Sequence, residues 1–376
     1  MNRQDRIKLL TKYTTEDAIL AELAAYTKNN FVPDDGLVFP QLPLPNEPHI
    51  LAWQTYQKAS HAVPNIITIL KRKLLPLNFP ITKNISKHRD YRKVTLQGQN
   101  PQNFSLATGL PLLAPEKINV TFVEGAAGKI PALVVENTAD FKMLLRALAH
   151  KNEPAVIPDA MGAVILKGVN NWGRFRENMD TTLAVIHPQK EFLRIAKQKS
   201  LYQDTIILAS KKKYSNVQPK GISADTWREQ SLKIRLQHEY AHYFTSRYFG
   251  VMRNLMHDEI IADYLGIHAV RSHFDTMLFL QFLGLENYPI YRKGGRLENY
   301  LGRPKLSKPA FLILQKIMLN AAHNIAKFDA QIGVVQHSTD LFTRVRTLAT
   351  LSLVQIADEQ GANWLTTCYG KAYKER

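Results

Sequence analysis

The sequence predicts an α+β fold in which a small mixed sheet packs on one long helix and precedes a largely α-helical C-terminal lobe. Three observations lead to this prediction. Short Val-rich runs with turn residues between them occupy residues 118–209 and are typical of strands. Residues 227–248 contain neither Pro nor Gly and repeat apolar side chains at helical spacing. After Gly266 long helical patterns dominate, and strands followed by helices are typical of this class.

The predicted strands are five short runs, and the last of them has two interpretations. It is either a buried central strand or an edge strand, whose unpaired main-chain groups could bind an extended peptide. The sequence GAAG between the first two runs indicates a hairpin. The five runs are residues 118–124, 130–136, 163–167, 182–187 and 205–209.

The chain divides by sequence pattern into three predicted parts. Residues 1–116 form a helical and loop-rich region, residues 117–250 an α+β half that ends in the long helix, and residues 251–376 a helical lobe. Within the first part, residues 31–48 carry five prolines, which favour extended backbone because proline interrupts helices and sheets. We interpret this segment as a linker or wrapping arm; the alternative is a segment that covers a cleft, as a pro-segment would.

Composition excludes several classes of protein. The chain has 376 residues and a single cysteine, Cys368, so it contains no intramolecular disulfide. The N-terminus lacks the apolar run of a secretory signal, and no apolar stretch is long enough to span a bilayer. We therefore expect a cytoplasmic protein, with non-standard export as the alternative.

The chain is strongly basic, with a formal net charge of +17. The excess is spread over every quarter of the sequence, and no motif of a nucleic-acid-binding fold accompanies it. The charge therefore predicts a solvated basic surface or, as the alternative, attraction to an acidic partner.

The most informative stretch is an H-E-x-x-H motif formed by His238, Glu239 and His242. In a helix, residues four apart lie on the same face, so both imidazoles could bind one metal ion. Glu239 lies on the neighbouring flank, where it could take a proton from a water at an open metal position. Thr226 with Glu229 is a capping-box pattern that predicts the start of this helix, and Gly250 is expected to end it.

A second helical pattern predicts the third ligand. Glu259 and Asp263 are four residues apart and share a face with Ala262 and Gly266. Small residues on this face would allow a close approach to the first helix. Glu259 is then placed to complete the metal site, and Asp263 to accept the N–H group of a ligand imidazole.

These two motifs together resemble those of the gluzincin metallopeptidases, the thermolysin-like clan, over about thirty residues. The resemblance implies a zincin-like fold in which His238, His242 and Glu259 bind Zn²⁺. It also implies that Glu239 is the general base and Asp263 the outer partner of a ligand imidazole. The substrate would be a peptide or protein, and an edge strand before the metal helix would pair with it.

The spacing departs slightly from that family. Sixteen residues separate His242 from Glu259, fewer than the family commonly has, and His257 and Asp258 are close enough to be rival ligands. We favour Glu259 because only it is followed four residues later by an aspartate, Asp263.

An oxyanion donor is not identified by the sequence, and four downstream side chains are candidates: Tyr291, Tyr300, His323 and His337. Two alternatives to a peptidase remain at this point. One is a binding or regulatory protein that keeps a peptidase-like fold with a structural zinc. The other is a zinc hydrolase acting on a non-protein amide.

Overall fold

The computed structural model describes residues 1–32, 39–179, 181–253 and 255–374. Within these ranges the chain is α+β and contains a four-stranded mixed sheet, as the sequence predicted. The strands are β1 (Ile118–Gly125), β2 (Gly128–Val135), β3 (Ala163–Asn170) and β4 (Gln203–Ser210). The helices are α1 (Arg3–Leu10), α2 (Asp17–Tyr26), α3 (His49–Ser60), α4 (Ile67–Leu70), α5 (Arg89–Gln97), α6 (Thr138–Ala149), α7 (Trp172–Glu177), α8 (Thr181–Ile186), α9 (Pro188–Lys197), α10 (Ala224–Tyr248), α11 (Met256–Arg271), α12 (Thr276–Leu283), α13 (Lys308–Ile332), α14 (Ser338–Thr350), α15 (Leu353–Ile356) and α16 (Gly361–Lys374).

The chain forms two compact units. The first comprises residues 1–44, 125–127 and 213–376, and the second comprises residues 45–124 and 128–212. This grouping differs from the three-part division drawn from the sequence. The helices that carry the predicted metal ligands, α10 and α11, lie together in the first unit, and the four strands belong almost entirely to the second.

The sheet of the second unit has the order β1-β2-β4-β3. Strand β4 lies between two neighbours: it is parallel to β2, with Ala132 opposite Ile207, and antiparallel to β3, with Ile165 opposite Ile207. The run at 205–209 is therefore a central strand. The edge-strand interpretation is wrong, because both sides of β4 are paired and cannot accept a peptide.

One predicted strand is a helix. Residues 182–187 fall mostly in α8, where the amide of His187 donates to the carbonyl of Leu183 at 2.7 Å, an i to i−4 helical bond. An apolar run of this length does not distinguish the period of a strand from that of a helix. The other four predicted strands are confirmed.

The core of the second unit lies around the central strands. Leu133 and Val135 of β2 and Leu208 of β4 pack with Trp53 of α3 and Phe141 of α6, and all five side chains are buried. A second cluster lies around Trp172 and Phe175 of α7. The apolar content of β2 and β4 reflects their central position in the sheet.

None of the helices in the described part of the chain combines the length and the apolar character that crossing a membrane requires. The proline-rich segment at 31–48 includes residues 33–38, so the interpretation that it covers a cleft lies partly outside the described residues.

Candidate metal centre

Helix α10 carries the H-E-x-x-H motif and is bounded by specific caps. It begins one turn earlier than predicted, because Ser223 rather than Thr226 is the N-cap and its side chain accepts the Thr226 amide. Gly250 follows the C-cap with a φ of +69°, the left-handed conformation that glycine adopts after a helix end. The 25-residue helix is thus bounded at both ends, with the H-E-x-x-H motif between them.

Helix α11 approaches α10 closely where its residues are small. Ala262 is fully buried, and a Cβ atom added to Gly266 would lie 2.9 Å from the carbonyl oxygen of Ile234. The prediction that small residues bring the two helices together is therefore confirmed, and the approach turns Glu259 towards the α10 histidines.

Three buried side chains converge at this crossing: His238, His242 and Glu259 offer ligand atoms that all lie within 4.8 Å of one another. The two Nε2 atoms are 3.2 Å apart. The Glu259 carboxylate places Oε2 3.5 Å from Nε2 of His238 and Oε1 3.5 Å from Nε2 of His242. This group could hold a metal ion.

The tautomer of His238 is set by Asp263. Nδ1 of His238 lies 2.9 Å from Oδ1 of Asp263, and a carboxylate can only accept, so Nδ1 carries the proton. Nε2 is then left with a lone pair that faces His242 and Glu259. A carboxylate behind a ligand imidazole is the usual arrangement at metal sites, and the structure places Asp263 where the sequence predicted.

Two further residues hold Asp263. The hydroxyl of Tyr214 donates to Oδ1 of Asp263 at 2.7 Å and lies 3.0 Å from Nδ1 of His238. Nη2–H of Arg296 donates to Oδ2 of Asp263, and Nη1–H donates to the Tyr214 hydroxyl. Nη2 is also 3.6 Å from Oε2 of Glu259. Arg296 therefore faces both the proposed ligand Glu259 and Asp263, the carboxylate that accepts from His238.

Helix α10 positions Tyr214 as well as the histidines. The amide of Tyr214 donates to Oγ of Ser231 at 2.9 Å, and Nη2 of Arg235 donates to the carbonyl of Lys213 at 2.7 Å. The turn before α10 is therefore attached to α10 itself, one to two turns ahead of His238.

The charges of the site depend on one another. Burial alone would raise the pKa of Glu259, but His242, His238 and Arg296 outweigh it and lower the pKa to about 2. Burial likewise opposes the ionised form of Asp263, whose pKa is nevertheless lowered by Arg296 and His238. Both carboxylates are therefore ionised at neutral pH. Oε2 of Glu259 is buried without a hydrogen-bond partner among the described residues, which fits a role as a metal ligand.

Glu239 differs from its neighbours. It is half-buried, and burial raises its pKa above the ordinary value, with His238 and His242 acting in the opposite direction. A carboxylate with a raised pKa beside two imidazoles is suited to exchanging a proton.

The two rival ligands point elsewhere. Nε2 of His257 lies 3.0 Å from the carbonyl oxygen of Leu348, and Oδ1 of Asp258 accepts the Arg253 amide at 2.7 Å. Burial lowers the pKa of His257 to about 4, so it is a neutral core histidine. The choice of Glu259 over both agrees with this geometry.

Of the four candidate oxyanion donors, only Tyr300 lies beside the site. Burial, and next the charge of Glu259, raise its pKa. Tyr291 instead donates to the carbonyl of Gly295 at 2.9 Å, and His337 caps α14. His323 is exposed and lines a separate cavity.

Tyr300 is held in place from the N-terminal region. The hydroxyl of Tyr26 in α2 donates to the carbonyl of Tyr300 at 2.6 Å and accepts the Met256 amide at 3.1 Å. Residue 256 is the first of α11, so one tyrosine ties the start of the Glu259 helix to the segment that bears Tyr300.

A family model described as a family of unknown function (DUF7005) matches residues 8–360. The chain belongs to this family. No curated protein and no solved structure matches the chain. The matched range includes α10 and α11, the two helices that carry His238, His242 and Glu259. The site therefore lies within the part of the chain that matches this family of unknown function.

Sequence reasoning missed Tyr214 and Arg296. Each is remote from the motif, 24 residues before His238 and 33 residues after Asp263. Neither position lies in a periodic pattern, so no local signal in this DUF7005 chain marks them; only the packing of segments that are distant in sequence brings them to Asp263.

Proposed function

We propose that the chain is a zinc-dependent metallopeptidase of the gluzincin type that hydrolyses peptide bonds in a peptide or protein. The observation that carries the proposal is the triangle formed by His238, His242 and Glu259, with the proton of His238 fixed on the side away from it. A half-buried glutamate, Glu239, stands next to this triangle in sequence and interacts electrostatically with all three.

The donor types of the group favour zinc. Two imidazole nitrogens and one carboxylate converge here, and zinc commonly takes this combination of ligands in proteins. Calcium and magnesium prefer oxygen ligands and do not suit two imidazoles.

The number of ligands favours catalysis over a purely structural role. Structural zinc sites are closed by four protein ligands, whereas catalytic sites have three and an open position. The group in the described part of the chain has three members, and His257 and Asp258 face away from it.

Each residue then has a defined task. A zinc ion held by His238, His242 and Glu259 would supply Lewis-acid chemistry, polarising the scissile carbonyl and making a water acidic. Glu239 takes the proton of that water and delivers it to the leaving amine. Tyr300 keeps its proton, because its pKa is raised, and donates to the developing oxyanion.

A regulatory or binding protein with a structural metal is the second candidate, and one observation favours it. The side chains of His238, His242 and Glu259 are only 8%, 10% and 3% exposed, so access to the metal is narrow. The same site would also serve a hydrolase of non-protein amides.

Three measurements separate these candidates. Elemental analysis of the purified protein should find one zinc per chain; its absence would contradict both the peptidase and the structural-zinc candidates. Casein hydrolysis should be abolished by a chelator and restored by zinc.

Glu239→Gln should retain zinc and lose about two to four orders of magnitude in rate, whereas Glu229→Gln, exposed on the same helix, should leave the rate unchanged. Zinc without hydrolysis of casein or of small amides would leave the structural role.

A further inference from the structure

A surface of the second unit, away from the metal centre in sequence, combines exposed apolar and basic side chains. We define it as the 183–199 surface, formed by α8, α9 and the residue pair that follows. Leu183, Val185, Ile186 and Leu193 are 44%, 83%, 62% and 57% exposed. They are four of the sixteen large apolar side chains exposed in the described part of the chain, and they fall within eleven residues. Apolar side chains clustered in this way mark interaction sites, whereas isolated ones do not.

Helix α9 shows how this surface is oriented. Ile195 is fully buried, and the ring of Phe192 lies 5.0 Å from that of Phe175, so these two side chains attach the helix to the core. Lys190, Leu193 and Lys197 are spaced three and four residues apart and therefore share one helix face. All three are exposed, so this face points away from the core.

The 183–199 surface is positively charged, and its lysines are exposed to solvent. Lys190, Lys197 and Lys199 are exposed, and none forms an ion pair with a described residue. The acidic residue of α9, Glu191, is buried and paired with Arg194 at 2.7 Å. The basic face is therefore not neutralised locally, and it adds to a chain of net charge +17.

We propose that the 183–199 surface binds the surface of an anionic lipid bilayer. Protein interfaces are depleted in lysine, whereas lysines beside exposed apolar side chains are typical of segments that lie in a membrane interface. Val185 and Ile186 enter the boundary between headgroups and acyl chains, and the lysines contact acidic headgroups. With six and ten residues, α8 and α9 are too short to cross a bilayer and lie along it.

Flotation of the full chain with vesicles tests the apolar contribution. We expect binding to phosphatidylcholine vesicles that contain phosphatidylserine, and none to phosphatidylcholine alone. The double variant Val185→Asp, Ile186→Asp should lose this binding. The double variant Val156→Asp, Val334→Asp is the matched control, because these side chains are 92% and 74% exposed but lie outside the surface, and it should retain binding. Equal binding by Val185→Asp, Ile186→Asp and the wild type would overturn the proposal.

A pair of lysine variants tests whether the charge acts locally. The triple variant Lys190→Gln, Lys197→Gln, Lys199→Gln should weaken partitioning into the vesicles about a hundredfold at low salt. Each lysine near the membrane surface contributes about fivefold, and the three contributions multiply. The control Lys293→Gln, Lys305→Gln, Lys371→Gln removes the same charge from exposed positions elsewhere. Equal losses in both variants would overturn the proposal and assign binding to net charge alone. Self-association that Val185→Asp, Ile186→Asp abolishes, without vesicle binding by the wild type, would also overturn it and assign the surface to a second copy.

Discussion

Gly266 of α11 faces the main chain of Ile234 in α10: a Cβ atom at Gly266 would lie 2.9 Å from the Ile234 carbonyl oxygen. His238 lies one turn after Ile234 in α10. Its hydrogen-bond partner, Asp263, lies one turn before Gly266 in α11. The two helices are therefore antiparallel at this point. The contact fixes the separation of the two helices one turn from His238 and Asp263, so the geometry of the proposed metal site depends on the absence of a side chain at residue 266.

Gly266→Ala should weaken both the fold and the site. Overpacking at a close backbone contact costs about 1–3 kcal/mol, and a displaced α11 would carry Glu259 away from the histidines. Urea unfolding and a zinc competition titration measure the two effects. Gly370→Ala, in α16 with no atom within 4 Å of the added Cβ, is the control and should be neutral or stabilising by about 1 kcal/mol. Equal behaviour of the two variants would contradict the close approach.

Asp263→Asn should lower zinc affinity about 10–100-fold, the usual effect of removing the partner of a ligand imidazole. An amide can present its N–H side to His238, and it removes the charge of one of the two carboxylates that Arg296 faces. Asp258→Asn is the control, since Asp258 is buried on the same helix but accepts the Arg253 amide. Zinc affinity that is equal in the two variants would show that Asp263 does not orient His238.

Metal binding should release about one proton. Burial would lower the pKa of His242, but its hydrogen bond with Glu259 and the surrounding carboxylates raise it to about 9. A cation must displace this proton, so affinity should rise about tenfold per pH unit from pH 6 to 8. Calorimetry in buffers of different ionisation enthalpy measures the proton directly. A pH-independent affinity would contradict the assignment of His242 as a ligand.

A separate buried network should control stability. Asp329 accepts from Nε2 of His268 and Nη1 of Arg344, both at 3.0 Å, and from the hydroxyl of Tyr264. Asp329→Asn should destabilise the protein by about 1–3 kcal/mol, because an amide cannot accept from all three buried donors, and Arg344 keeps its ion pair with Asp340 at 3.0 Å. Urea unfolding at neutral pH measures this. Asp159→Asn, 93% exposed, should show no measurable change.

The same network predicts a pH dependence. Burial opposes ionisation of Asp329, but its partners lower the pKa to about 2, below the unfolded value of about 3.9. Its stabilisation is therefore fully present above about pH 4 and is lost as the pH falls through about 2. The difference between wild type and Asp329→Asn should shrink over this range; a constant difference would contradict the charge-based account.

The proposed ligands were accessible from sequence because they are local. H-E-x-x-H fixes two imidazoles on one helix face, and Glu259, Asp263 and Gly266 share a face by spacing alone. The fold class followed from equally local patterns. Tyr214 and Arg296 could not be found in this way, since their contacts with Asp263 arise only when distant segments pack together.

Two errors have a related cause. Residues 182–187 were predicted as a strand because a short apolar run has no resolvable period, and α8 satisfies its backbone locally instead. The edge interpretation of β4 is wrong because sequence order does not show which strands lie beside it. In the structure β4 has β2 on one side and β3 on the other.

The hydrogen bonds of Tyr214 and Arg296 extend the signature of the site well beyond its motif. A search for remote relatives that also requires a tyrosine 24 positions before the first histidine and an arginine 33 positions after the aspartate would discriminate against chance occurrences of H-E-x-x-H. Relatives that lost either side chain while keeping both histidines would be natural experiments on how much orientation a metal-binding imidazole needs.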